Sequence, residues 1–165
     1  MKIFENQFYA NEPQGKKKTQ IIKNVLGDAK GLTVMDIGCG NGHLTAFLAY
    51  LGASAVGVDL DKESIKYAKI IHREIHADKK PPGDASGSLE FYEGNAFEVA
   101  KKLKIAGQLG AVTAFEVPEH IPDVNNFFQN INAILKKDGR FVMSVPNGHS
   151  IEETTRRFIQ HTRVG

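Results

Sequence analysis

The chain has 165 residues, of which 41% are hydrophobic and 24% charged, and this composition is typical of one globular domain. Its 21 Lys and Arg residues against 19 Asp and Glu leave a net charge of +2, which argues against a dedicated duplex-DNA-binding protein. The single cysteine excludes an internal disulfide framework. No apolar run is long enough to predict a membrane span or a signal peptide, so we expect a cytoplasmic protein.

Predicted helices and strands alternate along the chain after a weakly patterned start, in which the lysine tract 16–18 is expected to be solvated. Hydrophobic spacing and turn residues predict, in order, helix 19–26, strand 33–37, helix 44–51, strand 54–58, helix 62–75, strand 89–92, helix 96–104, strand 109–117, helix 124–135, strand 140–145 and helix 151–162. Residues 78–88 are the clearest loop. The strands lack polar–apolar alternation, which indicates a sheet covered on both faces.

This order predicts an α/β fold, since strands joined by helical crossovers form a doubly wound, mainly parallel sheet with helices on both faces. We expect one domain over residues 1–165. Its parts would be an N-terminal helical segment at 1–29, a core at 30–147 and a C-terminal helix at 148–165. In such sheets ligands bind at the carboxyl ends of the strands, near the point where the strand order reverses.

A glycine-rich loop follows the first predicted strand, at the edge where ligands are expected. One acidic residue and three glycines define it: Asp36, Gly38, Gly40 and Gly42. Because glycine has no Cβ, such a loop can turn tightly and let a ligand approach the backbone. Asp59 ends the second strand about twenty residues further on, where a carboxylate can accept hydrogen bonds from both hydroxyls of a ribose.

The pattern Asp-x-Gly-x-Gly-x-Gly resembles the cofactor loop of class I S-adenosylmethionine-dependent methyltransferases, which have a Rossmann-like fold. It differs from the dinucleotide-binding pattern, because His43 and Leu44 stand where that spacing requires glycine. The resemblance implies that Asn95 lies beside the adenine, where its side-chain oxygen could accept a hydrogen bond from the amino group as the family's more usual Asp does. The cofactor contacts that the resemblance implies are Asp36, Gly38, Cys39, Gly40, Gly42, Asp59, Leu60, Asn95, Ala96 and Phe115.

A second group of polar residues follows the fourth predicted strand, at the same sheet edge. Glu116, Glu119 and His120 are spaced so that one helical turn could bring them together. Two carboxylates and an imidazole can bind a divalent cation such as Mg²⁺ or Mn²⁺, with His149 as the favoured fourth ligand. Alternatively, His120 acts as a general base without metal, or the three residues shape the pocket or serve the fold alone.

The Glu-x-x-Glu-His pattern resembles two methyltransferase groups, the O-methyltransferases of ubiquinone biosynthesis and the enzymes that methylate the 3′-terminal 2′-hydroxyl of small RNAs. In both, residues at these positions bind a divalent cation. The resemblance implies methyl transfer to a hydroxyl, with a small-molecule acceptor favoured over RNA because no aromatic and basic surface stands out. A catalytically silent, cofactor-binding partner subunit is an alternative from another class, and an NAD-dependent oxidoreductase is a more distant one.

The resemblance also bears on the far edge of the sheet. The family usually closes its sheet with two further strands, the last of them antiparallel, whereas the pattern here ends on a predicted helix at Gly165. We therefore expect a sheet that lacks these strands. Either the chain is truncated, or a second copy in a homo-oligomer covers the open edge, since an uncovered edge invites pairing.

Overall fold

The computed structural model describes residues 13–78, 87–145 and 156–161. In chain order the elements are α1 (Pro13–Leu26), β1 (Thr33–Ile37), α2 (His43–Tyr50), β2 (Ser54–Asp59), α3 (Lys62–Asp78), β3 (Leu89–Glu93), α4 (Ala96–Lys102), β4 (Leu109–Phe115), a 3₁₀ turn (Pro118–His120), α5 (Val124–Ile134), β5 (Leu135–Val145) and β6 (Arg156–His161). Every element predicted before residue 146 is present, with ends that differ by up to six residues. The largest differences are the earlier starts of α1 and of β5, which includes residues 136–139 that were predicted to end the preceding helix. Most of the predicted loop at 78–88 lies outside the described residues.

The strands form one six-stranded sheet in the order β3-β2-β1-β4-β5-β6. The first five strands are parallel, and β6 is antiparallel to β5. The strand order reverses between β1 and β4, which are neighbours in the sheet although β2 and β3 lie between them in the sequence. The predicted doubly wound α/β fold is confirmed, and the carboxyl ends of β1 and β4 flank the crevice where such sheets bind ligands.

The predicted C-terminal helix is wrong over Arg156–His161, which forms β6 and pairs with Arg140–Val145. The outer edge of β5 presents a row of backbone groups that need partners, and satisfying them outweighs a weak local helical periodicity. The expectation that the sheet lacks its antiparallel strand is also wrong, and the argument for an oligomer over the open edge of β5 loses its support. The rest of the predicted helix, at 148–155 and 162–165, lies outside the described residues.

Apolar side chains pack on both faces of the sheet. On one face α1 and α2 contribute Ile22, Phe47 and Leu48 to a buried cluster. On the other face α4 and α5 contribute a second cluster, which includes Phe127 and Ile131. The two clusters therefore cover both faces of the sheet, as its uniformly apolar strands predict. No helix in the described ranges has both the length and the hydrophobicity that crossing a membrane requires.

Candidate functional site

The glycine loop turns sharply between β1 and α2. Gly38, Gly40 and Gly42 have φ angles of 69°, 49° and 78°, a region that other residues rarely adopt. A Cβ on Gly38 would collide with Val117, and one on Gly42 would collide with Phe91. A Cβ on Gly40 would meet no atom within 4 Å. The backbone at Gly40 therefore faces open space, which makes it the part of the loop that a ligand can approach.

Asp59, at the end of β2, fastens this loop. Its Oδ2 accepts a hydrogen bond of 2.8 Å from the backbone N–H of Gly40, and its Oδ1 accepts one of 2.9 Å from the N–H of Asp61. Each carboxylate oxygen has a second lone pair, so both can still accept hydrogen bonds from a ligand. The predicted ribose-binding acid therefore also positions the loop.

Asp36, in contrast, lies behind the loop, where only 2% of its surface is exposed. Its Oδ2 accepts a hydrogen bond of 2.7 Å from Thr45 of α2, and its Oδ1 accepts one of 2.6 Å from Thr113 of β4. Burial raises the pKa of Asp36 to about 6, although the two hydroxyls and the charge of Lys18 oppose this shift. The carboxyl group thus joins β1, α2 and β4 beneath the predicted cofactor site.

Cys39 also belongs to the inner side of the loop. Burial raises the pKa of its thiol, and the negative charges of Asp36 and Asp59 raise it further. A thiol held in its neutral form is a poor nucleophile, so Cys39 fills space rather than taking part in covalent chemistry.

A cavity of about 170 Å³ opens beside the loop and brings together five of the predicted cofactor residues: Gly38, Asp59, Leu60, Asn95 and Ala96. Sequence reasoning missed its apolar wall, which includes Phe97, Val117, Ile121 and Phe127. Leu60 lines this cavity yet is 77% exposed, which is unusual for a large apolar side chain and indicates a surface that a ligand would cover. Phe115, also predicted to contact the cofactor, packs in the opposite cluster beneath α1 and α2.

A larger depression of about 620 Å³ lies away from these residues, between α3 and β3. Its lining includes Lys69, His72 and Tyr92 and none of the predicted site residues. The carboxyl edge of the sheet, where polar groups and an exposed apolar surface converge, is therefore the better candidate for the ligand site.

Asn95 ends the turn after β3 and caps the first turn of α4. Its Oδ1 accepts hydrogen bonds from the backbone N–H groups of Phe97, at 2.9 Å, and Glu98, at 3.3 Å. An amide oxygen has two lone pairs, and both are used here. Asn95 lines the cavity, but its side-chain oxygen already accepts two backbone hydrogen bonds and is not open to an adenine amino group.

Glu116 follows β4 and turns the chain out of the sheet. Its φ angle of 60° is in the left-handed region, which is why β4 ends at Phe115 and not at Val117 as predicted. Its carboxylate lies 3.0 Å from the ammonium group of Lys18 in α1, which in turn lies 5.8 Å from the centre of the Phe115 ring. The expectation that the lysine tract is solvated is therefore wrong for Lys18, because a tract of three lysines gives no sign that one of them turns inward.

Glu119 and His120 lie in the short 3₁₀ turn after Glu116, and both are exposed. Within the described ranges, no three His, Cys, Asp or Glu side chains converge closely enough to hold a metal ion. The predicted metal site is therefore not assembled from Glu116, Glu119 and His120, and its fourth ligand, His149, lies outside the described residues. The three residues do share the carboxyl edge with the glycine loop.

Comparison with known proteins agrees with this architecture. The methyltransferase domain family matches residues 28–163. A ubiquinone biosynthesis O-methyltransferase of Bordetella avium is 33% identical over 127 residues, which are 76% of this chain and 47% of that protein. The protein of the same name from Bradyrhizobium diazoefficiens is 36% identical over 124 residues, 75% of this chain and 42% of its own length. This chain thus spans about half the length of the curated relatives that it matches.

Solved structures support the fold. The YcgJ protein of Bacillus subtilis superposes with a TM-score of 0.65 at 20% identity, over 79% of this chain and 51% of that one. A SAM-dependent methyltransferase from Archaeoglobus fulgidus gives a TM-score of 0.59 at 22% identity, over 90% of this chain and 59% of that one. The fold is that of a Rossmann-like α/β domain. The chain belongs to the class I S-adenosylmethionine-dependent methyltransferase family.

Proposed function

We propose that this chain binds S-adenosylmethionine and transfers its methyl group to a hydroxyl oxygen of a small molecule. The observation that carries the proposal is the meeting of the open backbone at Gly40, the Asp59 carboxylate and the apolar cavity at one sheet edge. The ubiquinone biosynthesis O-methyltransferases named above support a hydroxyl acceptor by their similarity.

The residues at the cavity fit this cofactor by their chemistry. The remaining lone pairs of Asp59 suit ribose hydroxyls, and an apolar wall that includes Leu60 and Phe97 suits a purine ring. The open side of the glycine loop leaves room for the part of the ligand beyond the ribose. When bound, the cofactor supplies a methyl group on a sulfonium, so the protein has mainly to align donor and acceptor.

On the acceptor side, we assign His120 as the general base. It is exposed at the same edge, where an acceptor can reach it. Its imidazole would take the proton from the acceptor hydroxyl as the oxygen forms its bond to the methyl carbon and the bond from that carbon to sulfur breaks. Glu116, held by Lys18, and Glu119 would orient the acceptor.

A divalent cation remains an alternative way to activate the hydroxyl. The described residues do not form a three-ligand site, so the mechanism above uses no metal. The small-RNA 3′-terminal 2′-O-methyltransferase and the silent partner subunit also stay as alternatives. The cytoplasmic location and a homo-oligomer are predictions from the sequence alone.

A transfer screen tests the proposal and separates these alternatives. The protein would be incubated with methyl-labelled S-adenosylmethionine and phenols, aliphatic alcohols, amines or a small RNA, with and without a chelator. We expect label on a small-molecule hydroxyl that persists in the chelator. Label on RNA alone would favour the small-RNA methyltransferase. Cofactor binding without any methyl transfer would favour the silent partner subunit. Loss of transfer in the chelator would favour a mechanism that uses a metal ion. The proposal would be overturned if the protein bound NAD and did not bind S-adenosylmethionine.

A further inference from the structure

We propose that Asn95 reads the cofactor's base as a hydrogen-bond donor, through its side-chain NH₂ group to a ring nitrogen, and does not contact the exocyclic amino group. This inference rests on the proposed function, because it takes the base to lie in the cavity beside Asp59. It assigns this chain a mode of base recognition that differs from acceptance by a side-chain oxygen.

The hydrogen bonds at the start of α4 fix which end of the amide is free. The backbone N–H groups of Phe97 and Glu98 can only donate, so the atom that they meet at 2.9 and 3.3 Å must be the oxygen. This orientation follows from the chemistry of the partners and not from the similar shapes of the two amide atoms. With both lone pairs of Oδ1 used, the NH₂ group is the part of Asn95 that remains for a ligand.

Asn95 is one of the residues that line the cavity, so a ligand bound there can approach its NH₂ group. Asn95 lines it together with Asp59 and Leu60, and the ring of Phe97 forms part of the apolar wall. A nucleoside whose ribose hydroxyls meet Asp59 would insert its flat, apolar base between such walls. The side chain is also exposed, so a ligand can reach it without displacing a buried group.

Donor and acceptor polarity then decides what Asn95 can recognise. The amino group of adenine is itself a donor, and two N–H donors cannot form a hydrogen bond with each other, whereas the ring nitrogens of adenine are acceptors. Asp at this position would behave differently. One of its carboxylate oxygens could cap α4 while the other accepted a hydrogen bond from the amino group.

Two variants test the proposal without removing the helix cap, because Asp and Ser are both good N-cap residues. Calorimetry would measure the dissociation constants of S-adenosylhomocysteine and of its purine analogue, which lacks only the amino group, for the wild type, Asn95→Asp and Asn95→Ser. The dissociation constant of the purine analogue divided by that of S-adenosylhomocysteine gives a ratio. This ratio reports how strongly each protein recognises the amino group. Melting temperatures would verify that all three proteins fold equally well.

We expect Asn95→Ser to weaken both ligands by a similar factor, about 3- to 10-fold, and to leave the ratio unchanged, since one neutral hydrogen bond to a ring nitrogen is lost. Asn95→Asp should raise the ratio by about 5-fold or more, because its free oxygen gains the amino group as a donor. A ratio that falls in Asn95→Ser, or stays unchanged in Asn95→Asp, would overturn the inference alone. Failure of the wild type to bind either ligand would overturn the proposed function as well.

Discussion

The ammonium group of Lys18 lies 3.0 Å from the carboxylate of Glu116, so α1 is tied to the chain segment that leaves β4. Glu116 holds a left-handed backbone conformation, with a φ angle of 60°. Strained backbone of this kind persists only where the surroundings hold it, and such positions are frequent at functional sites. The ion pair thus joins the N-terminal helix to the edge where we propose that the acceptor binds.

Breaking this pair should cost more stability than breaking an exposed surface pair but less than breaking a buried one, because the two side chains are 21% and 38% exposed. We expect Lys18→Met to lower the free energy of unfolding by about 1–2 kcal/mol in denaturant titrations. Expressed as a free energy, the effect of Lys18→Met on kcat/KM should be larger than its effect on the free energy of unfolding, since Glu116 loses its fixed position. Lys17→Met is the matched control, because Lys17 is exposed on the same helix. Equal kinetic effects from both substitutions would contradict the role given to the pair.

Asp36 should make stability depend on pH in an unusual direction. Burial raises its pKa in the folded protein to about 6 from 3.8, so the folded state binds the proton more tightly than the unfolded state. The carboxyl group therefore favours the folded state most when protonated, and this contribution is lost as the pH rises from about 4 through about 6. We expect Asp36→Asn to remove that decline from the plot of unfolding free energy against pH.

The control for Asp36→Asn is Asp138→Asn, at an exposed position whose φ angle of 65° Asn tolerates. It should leave the slope between pH 4 and 6 unchanged. At neutral pH Asp36→Asn should still destabilise the protein by about 1–3 kcal/mol, because Thr45 and Thr113 donate to different carboxylate oxygens and the NH₂ group that replaces one of these oxygens cannot accept a hydrogen bond. Identical slopes in the wild type and Asp36→Asn would show that Asp36 titrates normally.

Substitutions in the glycine loop should separate stability from binding. Gly42→Ala places a Cβ against the ring of Phe91, so we expect a loss of more than about 2 kcal/mol of stability. Gly40→Ala meets no neighbouring atom, so it should cost only about 1 kcal/mol but weaken cofactor binding at least tenfold. Gly107→Ala, at a similar φ angle with open space and outside the site, gives the cost of backbone strain alone. Normal cofactor binding by Gly40→Ala would refute the assigned ligand face.

His120 should be needed for the chemical step. We expect His120→Ala to lower kcat by about 10²- to 10⁴-fold with little change in the cofactor dissociation constant. Gln129→Ala, an exposed position on α5, should leave both unchanged. If His120→Ala retains full kcat, another group activates the acceptor, and sensitivity of the wild type to a chelator would identify that group as a metal ion.

Local pattern predicted most of the fold and five of the residues that line the cavity. The spacing of Gly38 and Asp59 at the ends of two successive strands is a sequence property, and parallel pairing brings such strand ends together. Contacts between distant segments were not predictable in this way. Thr113 contacts Asp36 across 77 positions of sequence, and Lys18 of α1 contacts Glu116, which follows β4. The pairing of β6 with β5 likewise depends on an edge that forms only in the folded sheet.

The most direct test of the account is calorimetric titration of the wild type and Asp59→Ala with S-adenosylhomocysteine, the demethylated product of the proposed cofactor. Asp59 both fastens the loop at Gly40 and faces the cavity, so its loss should weaken binding at least tenfold. Asp138→Asn should bind as the wild type does. We expect one site per chain with this dependence on Asp59. Absence of binding to the wild type, or equal binding by Asp59→Ala, would contradict the proposed cofactor site.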